Sequence, residues 1–304
     1  MKILLAEYAV ATGLFGTCWV EGMAMLSTLA ASFQRCGHEV VYLTAGPVIG
    51  AGEPVLLRSG FGDFLAQADA DAGLVIAPDD LIPGFVEVME ENASNLGSSP
   101  KSAGLCADKA SCTMTLEKRG VPVVEIVTRT DGGHYVLKPR YGCASEGVEI
   151  VSDVPENDDR MVTRYHEGEH LSVSLISSGN RVLPLTLNRQ LIDMGDSVEY
   201  RGSQVPYPSA REEEIFSVAK MAARALDLRG YAGIDLVVGD LPRVVDVNPR
   251  PTTSIVGIAR VMQEELADLI LRARFGTLPE RVTIEGECTF TKEELESILS
   301  IGSL

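Results

Sequence analysis

The sequence has no long apolar run and few cationic residues, and both absences restrict what the protein can do. None of its apolar runs reaches the length that a bilayer-spanning helix needs. The opening MKILLAEYAV is typical of a first strand rather than of a signal peptide. The 43 acidic residues outnumber the 26 lysines and arginines, which gives a net charge of −17. Nucleic acids and anionic membranes need basic surface, so we expect a cytoplasmic protein with neither as partner.

Cysteine and histidine are scattered rather than clustered. None of the six cysteines stands in a C-x-x-C pair, so neither a disulfide framework nor a zinc site is predicted. His166 and His170 have a spacing that would suit a metal pair on a helix. Gly168 lies between them, however, and the following LSVSLI alternates like a strand. We therefore expect solvated or hydrogen-bonded histidines.

Three common active-site motifs are also missing. No G-x-G-x-x-G follows the first strand, which argues against a dinucleotide-binding dehydrogenase. Gly142 and Gly147 have the spacing of a P-loop, but no Lys-Ser/Thr follows them, which excludes a Walker site. There is no G-x-S-x-G either, so no protein nucleophile is evident.

The first hundred residues alternate between short apolar strands and helices. Strands are predicted at 2–6, 39–43 and 73–77, and helices at 21–35 and 82–92. This order is typical of βαβ units in a parallel sheet, whose ligands bind at the carboxyl ends of the strands. Two of those ends carry Glu7-Tyr8 and Asp79-Asp80.

The rest of the chain is predicted to be mainly strands. The Ser-, Gly- and Pro-rich segment 95–104 predicts a linker. Helices are expected at 108–119, with Asp108 as N-cap, and at 212–226. Strands are expected at 121–128, 135–138, 148–151, 161–165, 170–176, 231–238 and 243–248. The polar segment 188–206 reads either as a substrate loop or as a solvated connection.

A predicted hairpin near residue 240 brings acidic residues together. Val238 and Arg243 flank a four-residue turn, and pairing them sets Asp235 opposite Asp246. Because side chains alternate along a strand, Asn248 shares the face of Asp246. Facing carboxylates repel unless a cation separates them, and this set of oxygen ligands suits Mg²⁺. We predict a metal site there, with a solvated acidic hairpin as the alternative.

Lys138 ends a predicted strand, directly before the loop from Gly142 to Gly147. A lysine in this position can hold a phosphate while backbone N–H groups of the loop close over it. Lysines near glycines are common on protein surfaces, so this signal is not specific by itself.

Taken in order, these pieces resemble the ATP-grasp superfamily over about residues 105–275. The matching segments are Asp108-Lys109, Gly120-Val-Pro122, Val136-Leu-Lys138-Pro139, the loop 142–147, Arg164–Gly168, Asp235 and Asp246–Arg250. The resemblance implies an ATP-grasp fold of mixed α/β and α+β character. A parallel α/β domain (1–103) would precede two α+β subdomains (104–166 and 167–278) that clamp ATP. Residues 279–304 would form a peripheral appendage.

The resemblance also implies a role for individual residues and a reaction. Phosphate contacts would come from Lys109, Lys138, Gly142, Ser145 and Gly147. Nucleoside contacts would come from Thr163, Arg164, Tyr165 and either Glu169 or His170. Asp235, Asp246 and Asn248 match the metal triad, although many relatives have Glu at the positions of Arg164 and Asp246. Arg250 and Lys138 would be catalytic. The implied cofactors are ATP and Mg²⁺, with Mn²⁺ as a substitute, and the implied reaction joins a carboxylate to an amine through an acyl-phosphate.

A narrower resemblance concerns the substrates. The segments Met1–Tyr8, Glu21–Met23, Asn188–Gln190, Glu199–Gly202 and Pro249–Ser254 resemble those of archaeal tyramine–L-glutamate ligases of methanofuran biosynthesis. This implies small-molecule partners and γ-glutamyltyramine as the product. By charge, Glu7, Glu21 or Glu199 could meet the amine, and Arg189 or Arg250 an amino-acid carboxylate. A surface charge is the alternative at each position.

Other functions remain open at this stage. A ligase for other amino acids, as in pyrrolysine assembly, is not distinguished, because pockets of the family differ by few side chains. A non-catalytic ATP-binding regulator is disfavoured by the Asp-Asp-Asn set, since adenine recognition needs no metal. A plain α/β small-molecule binder predicts no Mg²⁺-dependent nucleotide binding. A homodimer is expected only as the commonest oligomer.

Overall fold

The computed structural model describes residues 1–14, 16–142, 147–155, 160–194 and 198–300. Its helices are α1 (Tyr8–Thr12), α2 (Thr17–Arg35), α3 (Phe61–Leu65), α4 (Ile82–Glu90), α5 (Pro100–Ala107), α6 (Lys109–Lys118), α7 (Glu212–Ala225), α8 (Ile255–Val261), α9 (Leu266–Phe275) and α10 (Lys292–Ser300). Its strands are β1 (Lys2–Glu7), β2 (Glu39–Thr44), β3 (Glu53–Leu56), β4 (Ala72–Ile76), β5 (Ser94–Asn95), β6 (Tyr135–Lys138), β7 (Glu149–Val151), β8 (Met161–Arg164), β9 (Glu169–Ser178), β10 (Val182–Met194), β11 (Val198–Val205), β12 (Arg229–Val238), β13 (Pro242–Asn248) and β14 (Cys288–Thr291).

The N-terminal residues form a parallel sheet in the order β3-β2-β1-β4-β5. Its central strand β1 pairs in parallel with β2 and β4, and β1 from Ile3 onward is buried. Continuous apolar strands of this kind are typical of a sheet covered on both faces. The predicted parallel α/β arrangement is confirmed, and the edge strands β3 and β5 were not predicted.

The remaining strands form two sheets. Six strands follow the order β13-β12-β9-β10-β11-β14, and three follow β7-β6-β8. Helix α7 packs against the larger sheet with the predicted apolar face, on which Ile215, Val218 and Ala222 are buried. Each Val or Ile buried in this way stabilises the fold by roughly 1.5–3 kcal/mol.

Two predictions for the segment between residues 95 and 128 were wrong. Residues 100–107 form α5 instead of a linker, because the Ser99 side chain caps the helix and Pro100 occupies a first-turn position that tolerates proline. The segment 121–128 forms only isolated bridges, Val123 with Val244 and Ile126 with Thr163. The predicted helix at 108–119 is confirmed, and the Asp108 side chain accepts a hydrogen bond from the backbone N–H of Ser111.

Where the structure describes the segment 188–206, residues 188–194 and 198–205 form strands rather than the expected loop or solvated connection. They belong to β10 and β11, which pair antiparallel with a register shift between Leu191 and Ile192. The charged side chains of this segment are exposed and do not line the cavity, so they interrupt the apolar run that identifies a buried strand: Arg189, Asp193, Glu199 and Arg201.

The described part of the expected C-terminal appendage, residues 279–300, packs against the rest of the chain. Strand β14 pairs with β11 at the edge of the large sheet, where Phe290 is 2% exposed. Helix α10 packs against α2 of the N-terminal domain. The C-terminal segment therefore joins the two halves of the chain. The domain boundaries themselves stay predictions.

Among the helices of the described ranges, none is both long and apolar enough to cross a membrane.

Candidate active site

A cavity of about 310 Å³ lies where the three sheets meet. Its wall includes Glu7 and Ile76 at the carboxyl ends of β1 and β4, as the parallel-sheet rule predicts. The three-stranded sheet contributes Lys138 and Thr163, and the six-stranded sheet contributes the acidic hairpin. The volume is that of an ordinary small-molecule site.

The β12–β13 hairpin places its polar residues as predicted but contains a bulge. Asp235 lies opposite Asp246, whereas Val238 pairs with Pro242 instead of Arg243. The extra residue is Val245, whose carbonyl oxygen accepts a 2.8 Å hydrogen bond from Lys138 Nζ. A bulge re-aims the groups next to it, and here it turns a backbone oxygen toward the lysine.

The two hairpin carboxylates have opposite electrostatic surroundings. Burial raises the pKa of Asp235 to about 7, and the charge of Asp246 adds to the effect. Burial also acts to raise the pKa of Asp246, but the charges of Lys109 and Lys138 outweigh it and hold this pKa below its usual value. Asp235 instead accepts 3.1 Å hydrogen bonds from Asn248 Nδ2 and Gln190 Nε2. The two lysines therefore stabilise the charge of Asp246, whereas Asp235 is held by amide groups.

This donor set fits Mg²⁺. Two carboxylates and the amide of Asn248 are hard oxygen ligands, and Mg²⁺ is held in proteins by one or two carboxylates together with phosphate oxygens and water. Within the described ranges no group of three His, Cys, Asp or Glu residues is arranged to hold a metal ion. A cation here would thus depend on Asn248 and on the ligand to complete its shell. The assignment of Asp235, Asp246 and Asn248 to the metal stays a prediction.

Two buried lysines stand beside the hairpin. Lys109 begins α6, and its Nζ lies 3.2 Å from Asp246 Oδ2 and 2.9 Å from the Gly142 carbonyl oxygen. Burial acts to lower the pKa of Lys109, but the neighbouring charge of Asp246 outweighs it and the pKa is raised. Burial lowers the pKa of Lys138, which is 5% exposed. The two ammonium groups are placed to meet an anion beside the carboxylates.

Arg250 connects this wall with the N-terminal domain. Its Nε donates a 2.8 Å hydrogen bond to Asp79 Oδ1, and the two side chains are 13% and 2% exposed. Asp79 follows β4 directly after two cavity-lining residues, Ala77 and Pro78. Breaking a buried ion pair of this kind is strongly destabilising, so the pair holds the two domains in register.

The residues assigned to the nucleoside only partly reach the cavity. Thr163, Arg164 and Tyr165 line it. The Arg164 guanidinium is held by Glu125 at 3.1 Å and Asp131 at 2.6 Å, which leaves the backbone as its contribution.

Strand alternation brings His170, and not Glu169, to the cavity, and the nucleoside contact itself stays a prediction. His170 lines the cavity, whereas Glu169 lies on the other face of β9 and accepts a hydrogen bond from the Tyr207 hydroxyl. Of the phosphate-loop residues, Gly142 lines the cavity and Gly147 does not. Ser145 lies outside the described residues.

Because side chains alternate along β10 and β11, only some of the residues there face the cavity. Gln190 and Tyr200 line the cavity, whereas their neighbours Arg189 and Glu199 do not. The Arg189 guanidinium lies over the Tyr207 ring at 5.4 Å, and Glu199 pairs with Arg201 at 2.8 Å. The structure therefore does not bring Arg189 and Glu199 to the site, and we propose no substrate contact for them.

Glu7 and Glu21 both line the cavity, but Glu7 has a structural task. Its carboxylate accepts a 2.6 Å hydrogen bond from Val10 N and caps α1, and burial raises its pKa to about 7. A Cβ on Gly22 would come within 2.5 Å of this carboxylate, so the glycine makes room for it. Glu21 pairs with Lys292 of α10 at 3.1 Å.

Sequence reasoning missed four residues of the site: Asp79 as the partner of Arg250, Gln190, Tyr200 and Lys292. Asp79 had been noted only as a strand end. Gln190 and Tyr200 lie in the segment whose strands were not recognised. Lys292 reaches the cavity through tertiary packing alone, for which the sequence offers no local signal.

The chain is similar to known proteins in both sequence and fold. The model of the ATP-grasp domain matches residues 106–254. The tyramine–L-glutamate ligase of Methanocaldococcus fervens is 28% identical over 286 residues, which cover 89% of this chain and 93% of that enzyme. The enzyme of the same name from Methanocaldococcus jannaschii is 25% identical, with 93% and 94% covered.

A solved structure from Archaeoglobus fulgidus, assigned to the ATP-grasp superfamily, superposes with a TM-score of 0.78 at 26% identity. The match covers 96% of this chain and 98% of that one. The predicted ATP-grasp fold is thereby confirmed. The chain thus carries an ATP-grasp domain at residues 106–254 and is similar over nearly its full length to ligases that share this fold.

Proposed function

We propose that the protein joins L-glutamate to tyramine in an ATP- and Mg²⁺-dependent reaction, giving γ-glutamyltyramine. ATP-grasp ligases in general use these two cofactors. The observation that carries the proposal is the convergence of Lys109, Lys138, the Asp235–Asp246 pair and Arg250 on one cavity. The choice of substrates is supported by the nearly full-length likeness to the two tyramine–L-glutamate ligases.

The proposed reaction has two steps. A carboxylate oxygen of glutamate attacks the γ-phosphorus of ATP, the bond from that phosphorus to the β,γ-bridging oxygen breaks, and ADP leaves. The ammonium group of tyramine loses one proton to water, and its nitrogen attacks the acyl-phosphate carbonyl. The carbon–oxygen bond to phosphate breaks, and the nitrogen loses a second proton, which the leaving phosphate takes up, so that the amide keeps one N–H. One ATP, one carboxylate and one ammonium group thus yield one amide, ADP, inorganic phosphate and a proton.

The residues of the site supply positioning and charge rather than a nucleophile. Lys109 and Lys138 hold the terminal phosphates beside the hairpin, and the guanidinium of Arg250 offsets charge that develops during transfer. Mg²⁺, held by Asp235, Asp246 and Asn248, would neutralise the β- and γ-phosphate oxygens. Asp246 has a second task, because its ion pair with Lys109 fixes the ammonium group before ATP arrives.

Incubation with ATP, Mg²⁺, L-glutamate and a panel of amines that includes tyramine tests the proposal. We expect ADP release together with a product of the mass of glutamyltyramine, and retention of activity when Mn²⁺ replaces Mg²⁺. ADP release with a different amide would keep the mechanism and replace the substrates. Nucleotide binding without ADP release from any pair would favour a regulator. Light scattering on the same sample tests the expected homodimer.

A further inference from the structure

A further ion pair lines the cavity, in addition to the residues that we assign to the phosphates. Lys292 Nζ of α10 lies 3.1 Å from Glu21 Oε1 of α2, and the two side chains are 18% and 13% exposed. Both residues line the cavity. Charges that are this far removed from water are costly to leave unpaired, so whatever enters between them must satisfy both.

The aromatic ring of Tyr200 lies next to this ion pair. Lys292 Nζ lies 5.3 Å from the centre of the Tyr200 ring, a distance at which a cation is attracted to the ring face. The Tyr200 hydroxyl is engaged with Ser203 Oγ at 2.8 Å. Burial raises the pKa of Tyr200, and the charges of Glu21 and Asp235 contribute. The ring is therefore close enough to both carboxylates to sense their charges, one in the ion pair and one in the hairpin.

We propose that Lys292, Glu21 and Tyr200 bind the α-ammonium and α-carboxylate of the amino-acid substrate, with Lys292 as a specificity-determining residue. When a zwitterionic amino acid binds, its carboxylate pairs with Lys292 and its ammonium group pairs with Glu21. The two new ion pairs replace the one between Lys292 and Glu21, so that no charge is left unpaired. A ligand with only one of the two groups leaves either Lys292 or Glu21 without a partner, and such a mismatch is what sites discriminate against most strongly.

The arrangement also determines which carboxylate reacts. The inference rests on the proposed function and deepens it. If the α-carboxylate is engaged by Lys292, the side-chain carboxylate is the one left free to face the phosphates beside Lys138. The head-group pair thus explains formation of a γ-amide in place of an α-amide.

Two glutamate analogues separate the two contacts. 4-Aminobutyrate keeps the ammonium and the reactive carboxylate but lacks the α-carboxylate, and glutarate lacks the ammonium. In Lys292→Met we expect the preference for L-glutamate over 4-aminobutyrate, measured as the ratio of kcat/KM, to fall at least about tenfold. In Glu21→Gln the preference for L-glutamate over glutarate should fall by a similar factor. Each variant frees the residue that its analogue needs, so use of the analogue itself should improve.

A purely structural pair would give a different result. If Lys292 and Glu21 only fasten α10 to α2, both variants lower the melting temperature and change all three substrates equally, and unchanged preference ratios overturn the proposal. Lys101→Met and Glu287→Gln, both at exposed positions, are the matched controls. Fragmentation of the product provides a second readout, because an α-linked amide from the wild type would also overturn the assignment.

Failure of the proposed function is a separate outcome. If the wild type makes no amide from L-glutamate but does so from another amino acid, the substrates are wrong, and the variants are compared on that amino acid and its deaminated analogue. Activation of an α-carboxylate in that case overturns the head-group assignment. If no amino acid is activated, the proposed function and the head-group inference fall together.

Discussion

The two ends of the cavity are built in different ways. At the nucleotide end, where we propose that the nucleotide binds, Asp235, Asp246 and Asn248 lie on the β12–β13 hairpin. Its two lysines, Lys109 and Lys138, are the first residue of α6 and the last residue of β6. The head-group end, formed by Glu21, Tyr200 and Lys292, comes from three elements that are far apart in the chain.

This contrast has a functional meaning. Phosphate chemistry needs a fixed geometry, which adjacent strands supply through their register. Substrate choice depends on a few side chains, which separate elements can change without disturbing the sheet. We therefore expect mutations at the nucleotide end to affect turnover and mutations at the head-group end to affect selectivity.

Asp246→Asn should have the largest effect. The variant loses one carboxylate of the predicted metal site and the anchor of Lys109, so ADP release should fall about 10²–10³-fold. Folding should change little, because relief of the repulsion on Asp235 compensates for the lost ion pair. Steady-state ADP formation and thermal melting measure the two quantities. Asp240→Asn in the turn of the same hairpin, where Asp240 is exposed, is the control. Wild-type-like turnover of Asp246→Asn would refute the metal assignment.

Asp79→Asn tests how far the nucleotide end depends on the N-terminal domain. Removing one partner of the buried Arg250–Asp79 pair should lower the free energy of unfolding by about 2–4 kcal/mol. ADP release should fall by about tenfold or more, because a misplaced guanidinium stabilises the transition state less well. Urea unfolding and turnover are the measurements. Asp80→Asn, next in the chain and exposed, should behave like the wild type. Equal behaviour of both variants would show that the pair does not position Arg250.

Lys292→Met should leave the nucleotide end intact. Lys292 contacts Glu21 and the Tyr200 ring, neither of which belongs to the hairpin, so its effect should be nearly additive with mutations at the nucleotide end. We expect the Kd for Mg²⁺-ADP, measured by titration calorimetry, to change by less than about twofold while the KM for L-glutamate rises. A large loss of nucleotide affinity would mean that the two ends act as one unit.

Glu7→Gln should give the smallest effect, visible as a change in pH dependence. Burial raises the pKa of Glu7 from 4.5 to about 7 in the folded protein, so the folded state binds the proton more tightly than the unfolded state. Stability from this group is fully present below pH 4.5, declines as the pH rises through 7 and stays low above it. The glutamine keeps an acceptor for Val10 N and does not ionise. The melting temperature of the variant should therefore change less with pH than that of the wild type between pH 4.5 and 7. Equal slopes for the two proteins would contradict the raised pKa of Glu7.

The difference between the two ends also explains what the sequence could predict. The pairing of Asp235 with Asp246 followed from turn length and alternation, both of which are local. The bulge at Val245 could not be predicted, because it depends on where backbone hydrogen bonds form. Its carbonyl accepts a hydrogen bond from Lys138, which is distant in the sequence. Strands β10 and β11 were missed because exposed charged residues such as Asp193 and Glu199 interrupt their apolar pattern. The contacts of Glu21 with Lys292 require the folded molecule.

The late position of α10 in the chain has a consequence for biosynthesis. The hairpin and both nucleotide-end lysines leave the ribosome before β14 and α10, which then add to β11 and α2. Because parts of a chain fold as they emerge, a nascent molecule can complete its nucleotide end while the head-group end still lacks Lys292. On our proposal, each newly made molecule acquires the capacity to bind nucleotide before it can select an amino acid.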